Sequence, residues 1–404
     1  MIHIIRRLLV GGFTAAIVAL VSTVVQAQAP AQAQAPAVMV TDPTSVVMIV
    51  NRDSNEIGFM DMKTKKIIKN VFLGNNVNPH MVMMSPDGRY VVTGGTRANK
   101  AYVIDTRTLQ LVKVIPVDIA PEHLSFSPDS RWYYQGNPEG DSISVIDMQS
   151  LTKIKTIPGF AEPLNVTFLP DGSKAYIGNY GSHWVGVVDV RRHELLKKIQ
   201  VAAMPGVAKL DPDKYLGEIH GINIAMLSND GRWLYAADGD LGVVAVIDPR
   251  EDKVVKTIRV GQDPWRIYLS HDGKYGITPN NGDETISIID LKAQKVAATL
   301  EAGPDMTGVN FAAGKAFVIS STSGFVYVYD MNTLRPAGRM KIGTNIQLET
   351  ATTDTKDETL YLADSTENAV VIINARNQTF EKVTKVGLYP WGTHVMDSKD
   401  NYCH

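Results

Sequence analysis

Four histidines stand at or near the point where a short apolar segment begins. They are His80 in Asn78-Pro79-His80-Met81, His123 in Pro121-Glu122-His123, His220 in Glu218-Ile219-His220-Gly221 and His394 in Gly392-Thr393-His394. Neutral imidazole is a common ligand for iron, copper and zinc, and its proton comes and goes near neutral pH. As a set, the four read as a haem or metal site. Taken singly, each reads as readily as a histidine that hydrogen-bonds water and turns. His80 and His220 are the strongest members, because one follows a proline and the other follows an insertion. Trp265 and Arg266 in Asp263-Pro264-Trp265-Arg266, and Trp391 in Pro390-Trp391-Gly392, begin similar segments. The indoles would wall a flat ligand or pack at junctions, and the guanidinium would pair with a carboxylate. His271 takes the place of proline in a Ser-His-Asp-Gly turn, and His193 lies in a charged run that reads as an outer edge. The sequence holds no Gly-x-Ser-x-Gly, His-Glu-x-x-His, Walker loop or Gly-x-Gly-x-x-Gly, so hydrolytic or nucleotide chemistry has no motif here.

Positioning histidines so far apart in sequence falls to an internal repeat. An apolar-apolar-Asp strand end recurs at Asp61, Asp105, Asp147, Asp189, Asp248, Asp290 and Asp330, with Asn374 as a variant. The spacings are 44, 42, 42, 59, 42, 40 and 44 residues. Each unit reads as four strands. In the second these are Met81 to Ser85, Tyr90 to Gly94, Ala101 to Asp105 and Leu111 to Ile115, with Pro86-Asp87-Gly88 as the first turn. Four strands in a repeat of this length make a propeller blade. The first copy lacks an opening strand, whereas the Pro390 to Met396 segment is an opening strand with nothing after it. Joined, they form one blade and hide both sheet edges. The fold expected is all-β: an eight-bladed β-propeller closed by its N- and C-terminal strands. A seven-bladed ring is the alternative if Ala312-Ala313-Gly314 or the Asp354 to Glu358 turn is misread. The recurring aspartates are periodic and read as turn residues.

The domain organisation follows. Residues 1–27 read as a signal peptide, with Arg6 and Arg7 ahead of an uncharged apolar run and Val25-Gln26-Ala27 as the cleavage site. Residues 28–44 form an Ala/Gln/Pro leader. Residues 45–404 form a single propeller with an insertion at 202–218, expected over one mouth of the channel. The charge of −2, from 40 basic and 42 acidic residues, gives no basic surplus for nucleic acid. Cys403 is the one cysteine, so no intrachain disulfide forms. No Cys-x-x-Cys-His is present to attach a c-type haem. The expected location is the periplasm, with no membrane contact after cleavage.

The repeats resemble the YVTN class of bacterial propellers. Two segments are more specifically similar to the d1-haem domain of cytochrome cd1 nitrite reductase, an eight-bladed propeller. The first is Pro79-His80-Met81 with Ser85-Pro86-Asp87-Gly88-Arg89-Tyr90. The second is His220-Gly221 with Asp230-Gly231-Arg232-Trp233-Leu234-Tyr235 and Val244 to Asp248. The resemblance implies His80 as axial ligand of a d1-type haem iron and His220 as a distal acid. His123, His394, Trp265 and Arg266 would complete the cofactor site. The sequence departs at Pro279-Asn280-Asn281-Gly282-Asp283-Glu284, where Asn280 replaces a second distal histidine, and it carries no c-haem segment. These departures point to stand-alone NirF-like propellers and a role in d1-haem maturation or electron-transfer metabolism. The partner implied is a periplasmic redox or haem-maturation protein. The alternative is a non-catalytic YVTN propeller with no cofactor, a platform for a protein or a quinoprotein dehydrogenase system. Whether a substrate is turned over has no signature in the residues.

Overall fold

In the computed structural model, the sheets run around a ring. The structure describes residues 40–204 and 219–400. The expected signal peptide at residues 1–27, most of the expected leader, the insertion beyond residue 204, Cys403 and His404 lie outside the described residues. Val38–His404 form one unit. Among the described residues there is no α-helix, and none is long and apolar enough to cross a membrane.

There are eight four-stranded antiparallel sheets, so the eight-bladed expectation stands. Blade 1 joins Val46–Asn51, Glu56–Asp61 and Lys66–Phe72 to the last strand, Pro390–Val395. The innermost strands of blades 2 to 8 are Pro79–Met84, Leu124–Phe126, Pro163–Phe168, Ile222–Leu227, Tyr268–Leu269, Met306–Ala312 and Leu348–Thr353. The degenerate turns at Ala313 and Asp354 sit inside complete blades 7 and 8.

The closing blade shows why both sheet faces must be apolar. Every residue of Val46–Asn51 is buried. Alternate side chains leave opposite faces of a strand. Val46, Met48 and Val50 pack toward blade 2 with Val82 and Val91. Val47 and Ile49 pack toward blade 8 with Tyr361, Val370 and Val395. The core is thus a set of seams between neighbouring blades, not a single central cluster.

The turns follow from local chemistry. Ser85 Oγ donates to Asp87 Oδ1 at 2.5 Å and accepts from Tyr90 N at 3.0 Å, which locks the turn between first and second strands. The same arrangement recurs at Ser127/Asp129, Ser228/Asp230 and Ser270/Asp272. The aspartates ending the third strands accept from the turn that follows, as Asp105 does from Thr108 N at 2.9 Å. They are Asx-type turn residues, as their periodicity implies. These turns all lie at one end of the ring. The other end gathers the connections that lead into each inner strand and the loops between second and third strands.

Candidate functional site

That second end holds a cavity of about 540 Å³. Most of its walls come from the beginnings of inner strands: His80 and Met81, Glu122 and His123, Trp265 and Arg266, Met306 and Thr307, Glu349 and Thr350, and Trp391. Tyr180 and Asn281 arrive on loops between second and third strands.

His80 is central. Its ring centroid is 5.7 Å from that of His123 and 5.2 Å from that of Trp391, tilted by 59° and 51°. Nδ1 of both histidines is buried without a hydrogen-bond partner, as are Arg266 Nε and Trp391 Nε1. On the other side of His123, Asn165 is a hydrogen-bond partner. Its amide is in turn tied to Asn223 Oδ1 at 3.0 Å. Arg52, just beyond the second strand of blade 1, lies 4.2 Å above Trp391 and donates to Asn78 Oδ1 at 3.2 Å.

Burial sets the protonation here. Loss of hydration, with the Arg52 charge nearby, pushes His80 down to about 3. His123 is also held well below its ordinary value by burial, with His80 and Arg266 adding repulsion. Both imidazoles are neutral at physiological pH and offer lone pairs. Glu122 is raised to about 7, chiefly by burial; Arg52 opposes this while Glu139 and Glu162 reinforce it. Glu349 is raised to about 7 by burial, against a hydrogen bond from Ser365 and the Arg52 charge. Two carboxyls in the cavity wall therefore exchange protons near neutrality.

The Glu122 shift has a measurable consequence. A carboxyl whose folded value exceeds its unfolded one favours the fold while protonated, so its contribution is lost as pH rises from about 4.5 to about 7. Glu122→Gln keeps the neutral form at all pH. Relative to wild type, the variant should gain up to about 3 kcal/mol between pH 4.5 and pH 8. Denaturant melts at the two pH values measure the difference. An unchanged gap would mean that Glu122 is solvated in the folded chain.

The four-histidine level expected from the sequence divides. His80 and His123 meet in the cavity. His220 is at the same mouth, but is not among the residues lining the cavity. Its ring stacks on Tyr180 at 5.8 Å, and Tyr180 meets Trp265 edge-on at 5.5 Å. Its Nδ1 is 3.0 Å from Asp263 Oδ1, and its backbone N–H donates to Asp240. Gly221 sets this position. A Cβ there would be 2.0 Å from Ser182 O, so only glycine lets the chain pass so close to blade 4. His394 is a correction: it is the fifth residue of its strand, whereas His80 is the second of its own. At about 3.3 Å per residue this puts it roughly 10 Å deeper. It is buried, pairs across to Met48, is pushed to about 4 by burial, and does not line the cavity.

Trp265 and Arg266 do line the cavity, and Arg266 also lies near Tyr268, 5.4 Å from its ring centroid. Asn280 turns away, donating to Thr285 and Ser287 within blade 6, and Asn281 is the cavity residue. Sequence reasoning passed over Glu122, Glu349 and Arg52. The rule that found His80, polar residues at the start of inner strands, would also have found both glutamates. Arg52 comes from a different kind of loop and left no such signal.

Residues 36–132 match the family model of the cytochrome D1 heme domain. That stretch carries Arg52, His80, Glu122 and His123, and the chain resembles the d1-haem propeller in both sequence and architecture. The dihydro-heme d1 dehydrogenase NirN, solved in complex with DHE, superposes with a TM-score of 0.73 at 18% identity. The match covers 88% of this chain and 76% of that one. The Kuenenia stuttgartiensis hydrazine synthase matches at a TM-score of 0.55 and 21% identity, over 77% of this chain and 97% of that one. A functionally unknown protein from Desulfotomaculum acetoxidans DSM 771 matches at 0.57 and 12% identity, over 87% and 98%. At these identities the likeness to the three solved structures is one of fold. No curated protein matches the sequence.

Proposed function

We propose that the chain is a periplasmic propeller that binds a d1-type tetrapyrrole in the mouth cavity, with His80 as the axial ligand to iron. The observation that carries this reading is the pairing of a cavity of about 540 Å³ with buried, unpartnered nitrogens on His80, His123, Arg266 and Trp391 around it. Buried polar atoms left without partners in a native fold ask for a ligand or water to complete them. Neutral imidazole is the form that ligates iron. Trp265, Trp391 and Tyr180 offer flat apolar faces to a macrocycle, and Arg266 a cation to its carboxylates. Two comparisons support the same reading. NirN, which shares the fold, is a dihydro-heme d1 dehydrogenase solved in complex with DHE, and the family match falls on the half of the site that holds His80.

When bound, the tetrapyrrole supplies iron redox chemistry. The chain's own groups orient it and handle protons. His80 remains neutral and fixed between His123 and Trp391. Glu122 and Glu349 hold protons near pH 7 at the cavity wall. His220 is oriented by Asp263 at the rim behind Tyr180. The role that follows is d1-haem maturation or electron-transfer metabolism, with a periplasmic redox or haem-maturation protein as partner.

Titrating the purified chain with haem or d1-haem should give a saturable Soret shift. His80→Ala should lose the shift while melting as a folded protein. Equal binding by the variant, or no shift with wild type, would remove the basis of the proposal.

A further inference from the structure

His80, Glu122 and His123 each offer one ligand atom, and these atoms lie within 4.8 Å of one another. The three come from the inner edges of two adjacent blades, two residues from one and one from the other, so the ring itself holds them together. Among the described residues this is the one group of at least three such side chains so arranged. His123 is almost wholly buried and its Nδ1 has no partner, and Nδ1 of His80 has none either. Asn165 on the far side of the His123 ring plays the part of an outer-shell residue. It engages the imidazole and is itself fixed by Asn223. Metal-bound histidines are oriented in this manner.

We propose that the tetrapyrrole-free chain binds one divalent first-row transition ion through His80, Glu122 and His123. The donor set is two imidazoles and one carboxylate, which suits iron(II), cobalt(II) or zinc and leaves further coordination positions for water or a small ligand from the cavity. Bonds of about 2.0–2.2 Å accept donor atoms up to about 4 Å apart. Small side-chain rotations close the set. Glu139 and Glu162 lie near Glu122, and the guanidiniums of Arg52 and Arg266 lie near the two histidines, so the surrounding charge is mixed and the three donor atoms themselves must hold the ion. The ion site goes beyond the tetrapyrrole reading. It shares His80 with it, but Glu122 and Asn165 have no part in axial ligation.

The test uses the full mature chain, free of tetrapyrrole, titrated with cobalt(II) and followed by visible absorption. One equivalent should bind per chain and zinc should displace it. Glu122→Gln, nearly isosteric, and His123→Ala should each abolish saturable binding. Asn165→Ala should weaken it by about 10–100-fold. Thermal melts without metal check that each variant is folded; if His123→Ala is not, Glu122→Gln carries the test. Wild-type binding equal to that of Glu122→Gln, the absence of a saturable equivalent, or a cobalt–thiolate charge-transfer band, which would place the ion at Cys403, would each overturn the proposal. Because no tetrapyrrole is added, the outcome is independent of the Soret titration.

Discussion

A chain ending at Tyr389 should fail to form a folded ring. The strand removed, Pro390–Val395, is the innermost strand of blade 1 and pairs antiparallel with Val47 to Asn51. Its loss bares the edge of that blade and opens the seam in which Val395 meets Val47, Ile49, Tyr361 and Val370. Thr393 also donates to Tyr361 O at 2.6 Å, tying the closing strand to blade 8. Each buried aliphatic side chain returned to water costs about 1.5–3 kcal/mol. A few of them rival the entire stability of a typical domain, about 5–15 kcal/mol. The exposed edge would then recruit other chains. Expected results are loss of the cooperative thermal transition, dye binding to exposed apolar surface, and aggregation. A milder probe is Val395→Asp. It leaves the backbone pairing intact but buries a carboxylate in an apolar seam, and should cost about 3–5 kcal/mol. A truncated chain that stays monomeric and melts with wild type would mean that blades 2 to 8 hold the ring without closure.

The scaffold was legible because a propeller repeats its local chemistry. Each Ser-x-Asp turn and each Asp-ended third strand makes the same short-range hydrogen bonds, so sequence periodicity and structure coincide. Closure was legible for a related reason: two incomplete blades at the two ends can satisfy their edges only by joining. Strand limits moved by a residue or two, as in Lys100–Asp105 against Ala101 to Asp105, because the pairing partner rather than the local sequence decides where a strand frays.

The site was legible only in part. His80, His123, Trp265 and Arg266 share a simple rule of position and meet at one cavity. His394 obeyed the rule only in appearance, because depth along a strand depends on where the strand begins. His271 and His193 illustrate the opposite failure. In sequence, His271 reads as a turn residue in place of proline and His193 as part of a charged run at an outer edge. His193 instead packs into the seam beside blade 3, where Tyr134 Oη lies 2.7 Å from its Nδ1. His271 sits between two carboxylates, Asp357 at 2.9 Å and Asp400 at 3.0 Å. Both partners of His271 are more than 80 residues away in sequence. No local pattern encodes contacts made only when blades 6 and 8 and the C-terminal tail are brought together.

The Asp400 contact leads to the second large effect. After Val395 the chain runs to the end of the ring opposite the cavity, where the Asp400 side chain is almost wholly buried. Its carboxylate accepts from Asn310 Nδ2 of blade 7 at 2.9 Å and from Thr353 N of blade 8 at 2.7 Å, and it meets His271 of blade 6. One carboxylate thus ties the tail to three blades. Asp400→Ala leaves a backbone N–H, an amide and an imidazole without their acceptor in a dry site. Leaving a buried donor unsatisfied costs about 1–3 kcal/mol, and three donors lose their acceptor here, so the loss should be about 3–5 kcal/mol. The neighbouring Lys399–Asp357 pair is half exposed on the lysine side, so Lys399→Ala should cost no more than about 1 kcal/mol. Parallel thermal melts should separate the two variants by several degrees. The clamp lies at the far mouth, so Asp400→Ala should leave tetrapyrrole binding by the folded fraction within about twofold of wild type. A variant that keeps its melting temperature would show that water replaces the carboxylate at all three donors. One that loses binding along with stability would show instead that the two mouths are coupled through the seams between blades.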